Sequence, residues 1–70
     1  MPFVHIQLVG DNLADDPDGK KARIAARIAD AIHEETGAAK ISVWVVFEEI
    51  AARDWYVGEA SVETLRKRRT

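Results

Sequence analysis

The strongest constraint on this chain is a helix whose two ends are both written into the sequence. Asp16 is a good N-cap, Pro17 suits the first helical position, Asp18 complements the positive end of the helix dipole, and Gly37 is a fitting C-cap. Between them Ile24, Ala25, Ile28, Ala31 and Ile32 recur at helical spacing, with Lys20, Arg23, Arg27, Asp30 and Glu34 on the other side. The spacing predicts a helix from Pro17 to about Thr36. Its many alanines suit close packing against a sheet or a second helix.

Apolar strands flank it. From Phe3 to Val9 the residues alternate, with Val4, Ile6 and Leu8 on one face and Phe3, His5 and Gln7 on the other. Gly10 ends this strand, and a polar loop runs to Gly19. A second strand is expected from about Lys40 to Phe47, with Ile41, Val43, Val45 and Phe47 on one face and Ser42, Trp44 and Val46 on the other. Both of its faces are largely apolar, the pattern of a strand covered on both sides.

Strand, helix and strand in this order make a β-α-β unit, which is right-handed with parallel strands in nearly all cases. Two strands and one helix cannot cover one another, and that much exposed apolar strand is an aggregation hazard. The expected fold class is therefore α+β: one domain over residues 1–70, a β-α-β unit with parallel strands, oligomerising to extend the sheet.

Composition removes several function classes. The chain has no cysteine, so it has neither a disulfide framework nor thiolate chemistry. Its 47% hydrophobic and 31% charged residues are those of a globular chain. With no apolar run long enough to span a bilayer and no signal-peptide layout at the N-terminus, a cytoplasmic location is expected and no membrane partner. His33-Glu34-Glu35 lacks the second histidine of a zinc helix, and the loop from Asp11 to Gly19 lacks the ligand spacing of a calcium loop, so no metal is expected. A net charge of −2 and one short basic run, Arg66, Lys67, Arg68 and Arg69, rank nucleic-acid binding last.

Chemistry has one obvious candidate. Pro2 stands at the start of the first strand, and removal of Met1 makes it a free secondary amine held at a strand end. An α-amino group titrates at about 7.7 to 8.0. Desolvation lowers that value, and a general base works best with a pKa near the operating pH. Proline at the first residue of a strand also needs no functional explanation, so Pro2 alone does not decide the matter. Farther on, Ile50 to Glu59 reads as a turn followed by a short aromatic strand, with Trp55 and Tyr56 suited to a packed surface or pocket wall. The tail from Ser61 reads as a helical turn.

Proline directly after Met1, a β-α-β core, and the Trp55-Tyr56-Val57-Gly58 turn after the second strand, in this order and spacing, resemble the 4-oxalocrotonate tautomerase family of the tautomerase superfamily. The resemblance covers nearly the whole chain. It implies a hexamer, a trimer of dimers in which each dimer builds a four-stranded sheet with two helices on one face. It also implies catalysis without metal or organic cofactor, with Pro2 as the general base that moves a proton in an enol or 2-oxo acid. Trp55 matches the aromatic wall that keeps the proline's surroundings apolar.

Two departures qualify the resemblance. Family members acting on dicarboxylates carry one arginine in the loop after the first strand and another in the second strand. Here those positions fall at Asp15 or Asp16 and at Trp44. Arg53, beside the Trp55 turn, is the candidate substitute cation, ahead of Lys21 and Lys40, and Arg53, Trp55 and Trp44 are the candidate substrate-binding residues. The alternative reading is a non-catalytic or partner-dependent subunit of a heterohexamer, since such a subunit tolerates the loss of both arginines.

Overall fold

The computed structural model describes residues 1–69, the side chain of Arg69 excepted. Thr70 and that side chain, at the end of the basic run, lie outside the described residues. The elements follow in the order β1 (Phe3–Val9), a 3-10 turn (Gly10–Leu13), α1 (Pro17–Thr36), a second 3-10 turn (Lys40–Ser42), β2 (Trp44–Ile50), a third (Ala52–Asp54), β3 (Tyr56–Val57), β4 (Ala60–Ser61) and α2 (Val62–Arg69). The fold is α+β around a β-α-β unit. β1 and β2 pair in parallel, Phe3 opposite Trp44 through to Val9 opposite Ile50.

The helix begins and ends as its sequence dictates. Asp16 accepts the Gly19 N–H at 3.1 Å, and the Gly37 N–H closes the last turn on the His33 carbonyl at 2.9 Å. Gly37 takes a left-handed φ of 77°, which costs glycine little. Asp15 and Asp16 also lie in the left-handed region, with φ of 62° and 73°. Short polar side chains tolerate that region better than most.

The second strand is displaced from its expected span. It starts at Trp44, not Lys40, and runs to Ile50, past Phe47. A strand needs a partner, and β1 offers its first pairing residue at Phe3, opposite Trp44. Lys40 to Ser42 therefore form a turn, and Ile41 is 95% exposed instead of sharing a strand face with Val43, Val45 and Phe47. At the other end, ladder pairing carries Glu48 and Glu49 into the strand despite their poor strand propensity.

The aromatic segment is a small hairpin. Tyr56 and Val57 pair antiparallel with Ser61 and Ala60, and Gly58 turns the chain with a φ of 66°. Ser61, buried, accepts the Thr64 N–H at 3.1 Å, which starts α2 as a full helix and not the single turn expected.

The single chain has little interior. Among the described residues only Val9 (7% exposed) and Leu13 (2%) are buried apolar side chains, while Phe3, Trp44, Val46, Tyr56 and Val57 are exposed. Its surface of 5286 Å² exceeds the roughly 4,400 Å² of a compact monomer of this mass. The radius of gyration, 15.3 Å, exceeds the roughly 11 Å of a compact chain this long. Among the described residues no helix is long and apolar enough to cross a membrane.

Candidate active site

Pro2 immediately precedes β1, and its half-burial continues the alternation that puts Val4, Ile6 and Leu8 on the helix side of the sheet. Its carbonyl accepts the Trp44 backbone N–H at 2.9 Å. This bond extends the β1–β2 pairing by one residue, so Pro2 is tied to the sheet. With Met1 attached, the Pro2 nitrogen is an amide without a basic lone pair; once Met1 is gone, it is an amine.

The candidate substrate-binding residues divide between the two ends of the sheet. Trp44 lies next to Pro2 but joins it through backbone alone, since its half-exposed side chain shares with Phe3 the sheet face turned away from α1. Arg53 and Trp55 follow the far end of β2. Seven residues of parallel strand separate them from Pro2, a span of about 20 Å at strand rise. Within one chain, Pro2 and the Trp55 turn do not meet.

The other expected cations have partners. Lys21 bonds Glu49 at 2.8 Å and Lys40 bonds Asp30 at 2.8 Å. The hydrogen bond from Lys40 to Asp30, with the charge behind it, raises the Lys40 pKa above its ordinary value. Arg53, exposed, borders a cleft that also contains Asp11, Glu63 and Arg66, where Arg66 is already bonded to Asp11. Asp16, which with Asp15 stands where the resemblance implies a loop arginine, caps α1 and lies 3.7 Å from Arg23.

Two clusters escaped sequence reasoning. On the sheet face away from α1, Glu48 accepts from Gln7 at 2.9 Å and lies 3.0 Å from His5 Nε2. The Gln7 donor, followed by His5, holds the Glu48 carboxyl below its ordinary pKa. Alternation put His5 and Gln7 on one face, but only the strand register brings Glu48 to them. On the helix side, Lys20, Arg23 and Arg27 meet Leu8, Leu13 and Ile24 around a cavity of about 310 Å³. Their spacing along α1 was legible. That the end of β1 and the following turn supply the opposite wall was not.

The arrangement is that of other small proteins. A family model described as "Tautomerase enzyme" matches residues 2–65. Among solved structures, the chain is similar to DmpI from Helicobacter pylori, with 26% identity, coverage of 94% of this chain and 97% of that one, and a TM-score of 0.82. It is also similar to TomN, a 4-oxalocrotonate tautomerase homologue of the tomaymycin biosynthetic pathway (25% identity, coverage 99% and 100%, TM-score 0.83). A third similar structure is a 4-oxalocrotonate tautomerase isozyme from Methylibium petroleiphilum (28% identity, coverage 91% and 97%, TM-score 0.72). No curated protein matches the chain by sequence. A proline tied to the head of a parallel β-α-β sheet, and a match that begins at that proline and runs into the first half of α2, lead to one conclusion: the chain belongs to the tautomerase family.

Proposed function

We propose that this chain is a tautomerase or isomerase that needs no cofactor and that, once Met1 is removed, uses Pro2 as the general base on an enol or 2-oxo acid. The single observation that carries the reading is the position of Pro2: half-buried, on the helix side, and fixed by the Trp44 N–H. A ring amine held there keeps its lone pair in one direction, and partial desolvation favours the neutral, basic form. Pro2 takes the proton from the enol hydroxyl and delivers it to the carbon next to the new carbonyl. The substrate is isomerised with no change in composition.

The reading requires more than one chain. Trp55 and Arg53 lie too far from their own Pro2 to touch the same small molecule, so they act on a neighbour's Pro2. The apolar side chains exposed on the single chain support such an assembly, and we assign it as a homohexamer built as a trimer of dimers. A second reading, a partner-dependent subunit of a heterohexamer, is favoured by the acids and the tryptophan at the two arginine positions.

Ketonisation of phenylenolpyruvate by the protein lacking Met1, compared with its Pro2→Ala variant, tests the proposal. A general base of this kind contributes about 10²- to 10⁴-fold, and the variant is expected to lose that factor. Equal turnover by both proteins overturns it. Activity that appears only on mixing with a second tautomerase-family chain supports the heterohexamer instead.

A further inference from the structure

The cavity between α1 and the end of β1 combines what a small organic anion needs. Leu8, Leu13 and Ile24 form an apolar floor, Asn12 offers an amide, and Lys20, Arg23 and Arg27 bring positive charge from successive turns of α1. These cations are incompletely neutralised. Lys20 donates to the Ala14 carbonyl, which carries no net charge, and Arg23 faces Asp16 at 3.7 Å with both side chains well exposed. Among the described residues no carboxylate lies within ion-pair distance of Arg27. At about 310 Å³ the volume suits a small ligand, near the lower end of the ~300–1,000 Å³ of binding pockets.

The free edge of β1 relates this cavity to Pro2. β1 pairs with β2 on one side only, and it bears no carboxylate or ammonium, whereas β2 carries Glu48 and Glu49. Edge strands that lack charge are the ones open to a further strand. Two-fold antiparallel pairing of this edge with a second β1 sets the start of one strand, where Pro2 stands, toward the end of the other, where Leu8 lines the cavity. Such an isologous contact, with its axis normal to the sheet, keeps both helices on one face. Pro2 then opens toward the partner's cavity, on the same side of the joined sheet.

We propose that Lys20, Arg23 and Arg27 form the carboxylate subsite for the Pro2 of an adjoining copy, in place of arginines in the loop and second strand. The inference rests on Pro2 as the base, and it narrows the substrate to a 2-oxo monocarboxylic acid, or its enol, with an apolar substituent. The carboxylate bonds to the guanidinium groups, and the substituent lies on Leu8, Leu13 and Ile24. Charge-assisted bonds of this type orient the acid, so that its enol carbon faces the amine.

The test is the double substitution R23A/R27A. Both positions are exposed on α1 and alanine is the best helix former, so folding survives; sedimentation confirms that the assembly equals the parent's. For phenylenolpyruvate, kcat/KM is expected to fall about ten- to a hundredfold, mainly through KM, while the enol of its uncharged methyl ester changes less than about twofold. R23K/R27K is expected to restore most of the loss. An equal loss on acid and ester, or no loss on either, overturns the proposal.

Cinnamate, an apolar carboxylate with no enol to react, separates this inference from the function it rests on. Calorimetry with Pro2→Ala protein is expected to show cinnamate binding that disappears when R23A/R27A is added. Binding that persists without the arginines overturns the subsite. Loss of binding with the arginines, in a protein whose parent lacks turnover, supports the subsite and overturns Pro2 as the base.

Discussion

Trp44 donates its backbone N–H to the Pro2 carbonyl at 2.9 Å, one step beyond the last paired residues of a parallel sheet. The bond holds the only proline outside the helix start at a fixed place through its carbonyl alone. Trp44 thus supports Pro2 through its backbone, and its ring turns to the opposite face. The Trp44 amide proton is therefore expected to be among the slower to exchange with solvent, slowed about as much as amides inside the β1–β2 ladder. Fast exchange, measured by NMR or mass spectrometry, contradicts a fixed Pro2.

Pro2 and Trp55 stand at opposite ends of the same sheet. If Trp55 shelters a neighbour's Pro2, Trp55→Ala admits water around that amine, raises its pKa toward the ordinary range, and shifts the acidic limb of the kcat/KM profile to higher pH. Mixing unfolded Pro2→Ala and Trp55→Ala chains and refolding them together is expected to restore up to about a quarter of parental activity, because random assembly regenerates some intact sites. No recovery means that Trp55 does not serve a neighbour.

Asp16 holds a left-handed φ of 73° and caps the Gly19 N–H. Asp16→Ala loses the cap and retains the backbone strain, for a destabilisation of about 1–2 kcal/mol in denaturant titration. Asp16→Gly loses the cap but relieves the strain, so its cost is expected to be smaller. The reverse order contradicts the observed cap geometry.

The Glu48 carboxyl, held below its ordinary pKa by Gln7 and then His5, is more acidic folded than unfolded. The stability it contributes is present above the unfolded value of about 4.3 and is lost as pH falls through the lower folded value. Carboxyl NMR titration is expected to place Glu48 below the ordinary glutamate range, and Gln7→Leu is expected to raise it. An unmoved midpoint in that variant assigns the shift elsewhere.

The cap residues Asp16, Pro17 and Gly37 and the alternation of β1 are local signals, and both elements stand where those signals put them. The place of Pro2 at the head of β1 was legible for the same reason, since the alternation that starts at Phe3 fixes where the strand begins. The limits of β2 were not, because hydrogen bonding to β1 decides them, and Trp44 has a partner where Lys40 has none. The hairpin of Tyr56 to Ser61 depends likewise on pairing across a turn.

Periodicity thus determined which segments form strand or helix and which face of each is apolar, since those properties repeat within a few residues along the chain. Only the tertiary structure decided which charges meet. Lys21 and Lys40 were spent on Glu49 and Asp30, while Lys20, Arg23 and Arg27 gathered against Leu8 and Leu13. Coulombic and hydrogen-bonded pairing depends on distance in space, and residues far apart in the sequence become neighbours only when the strands set their register.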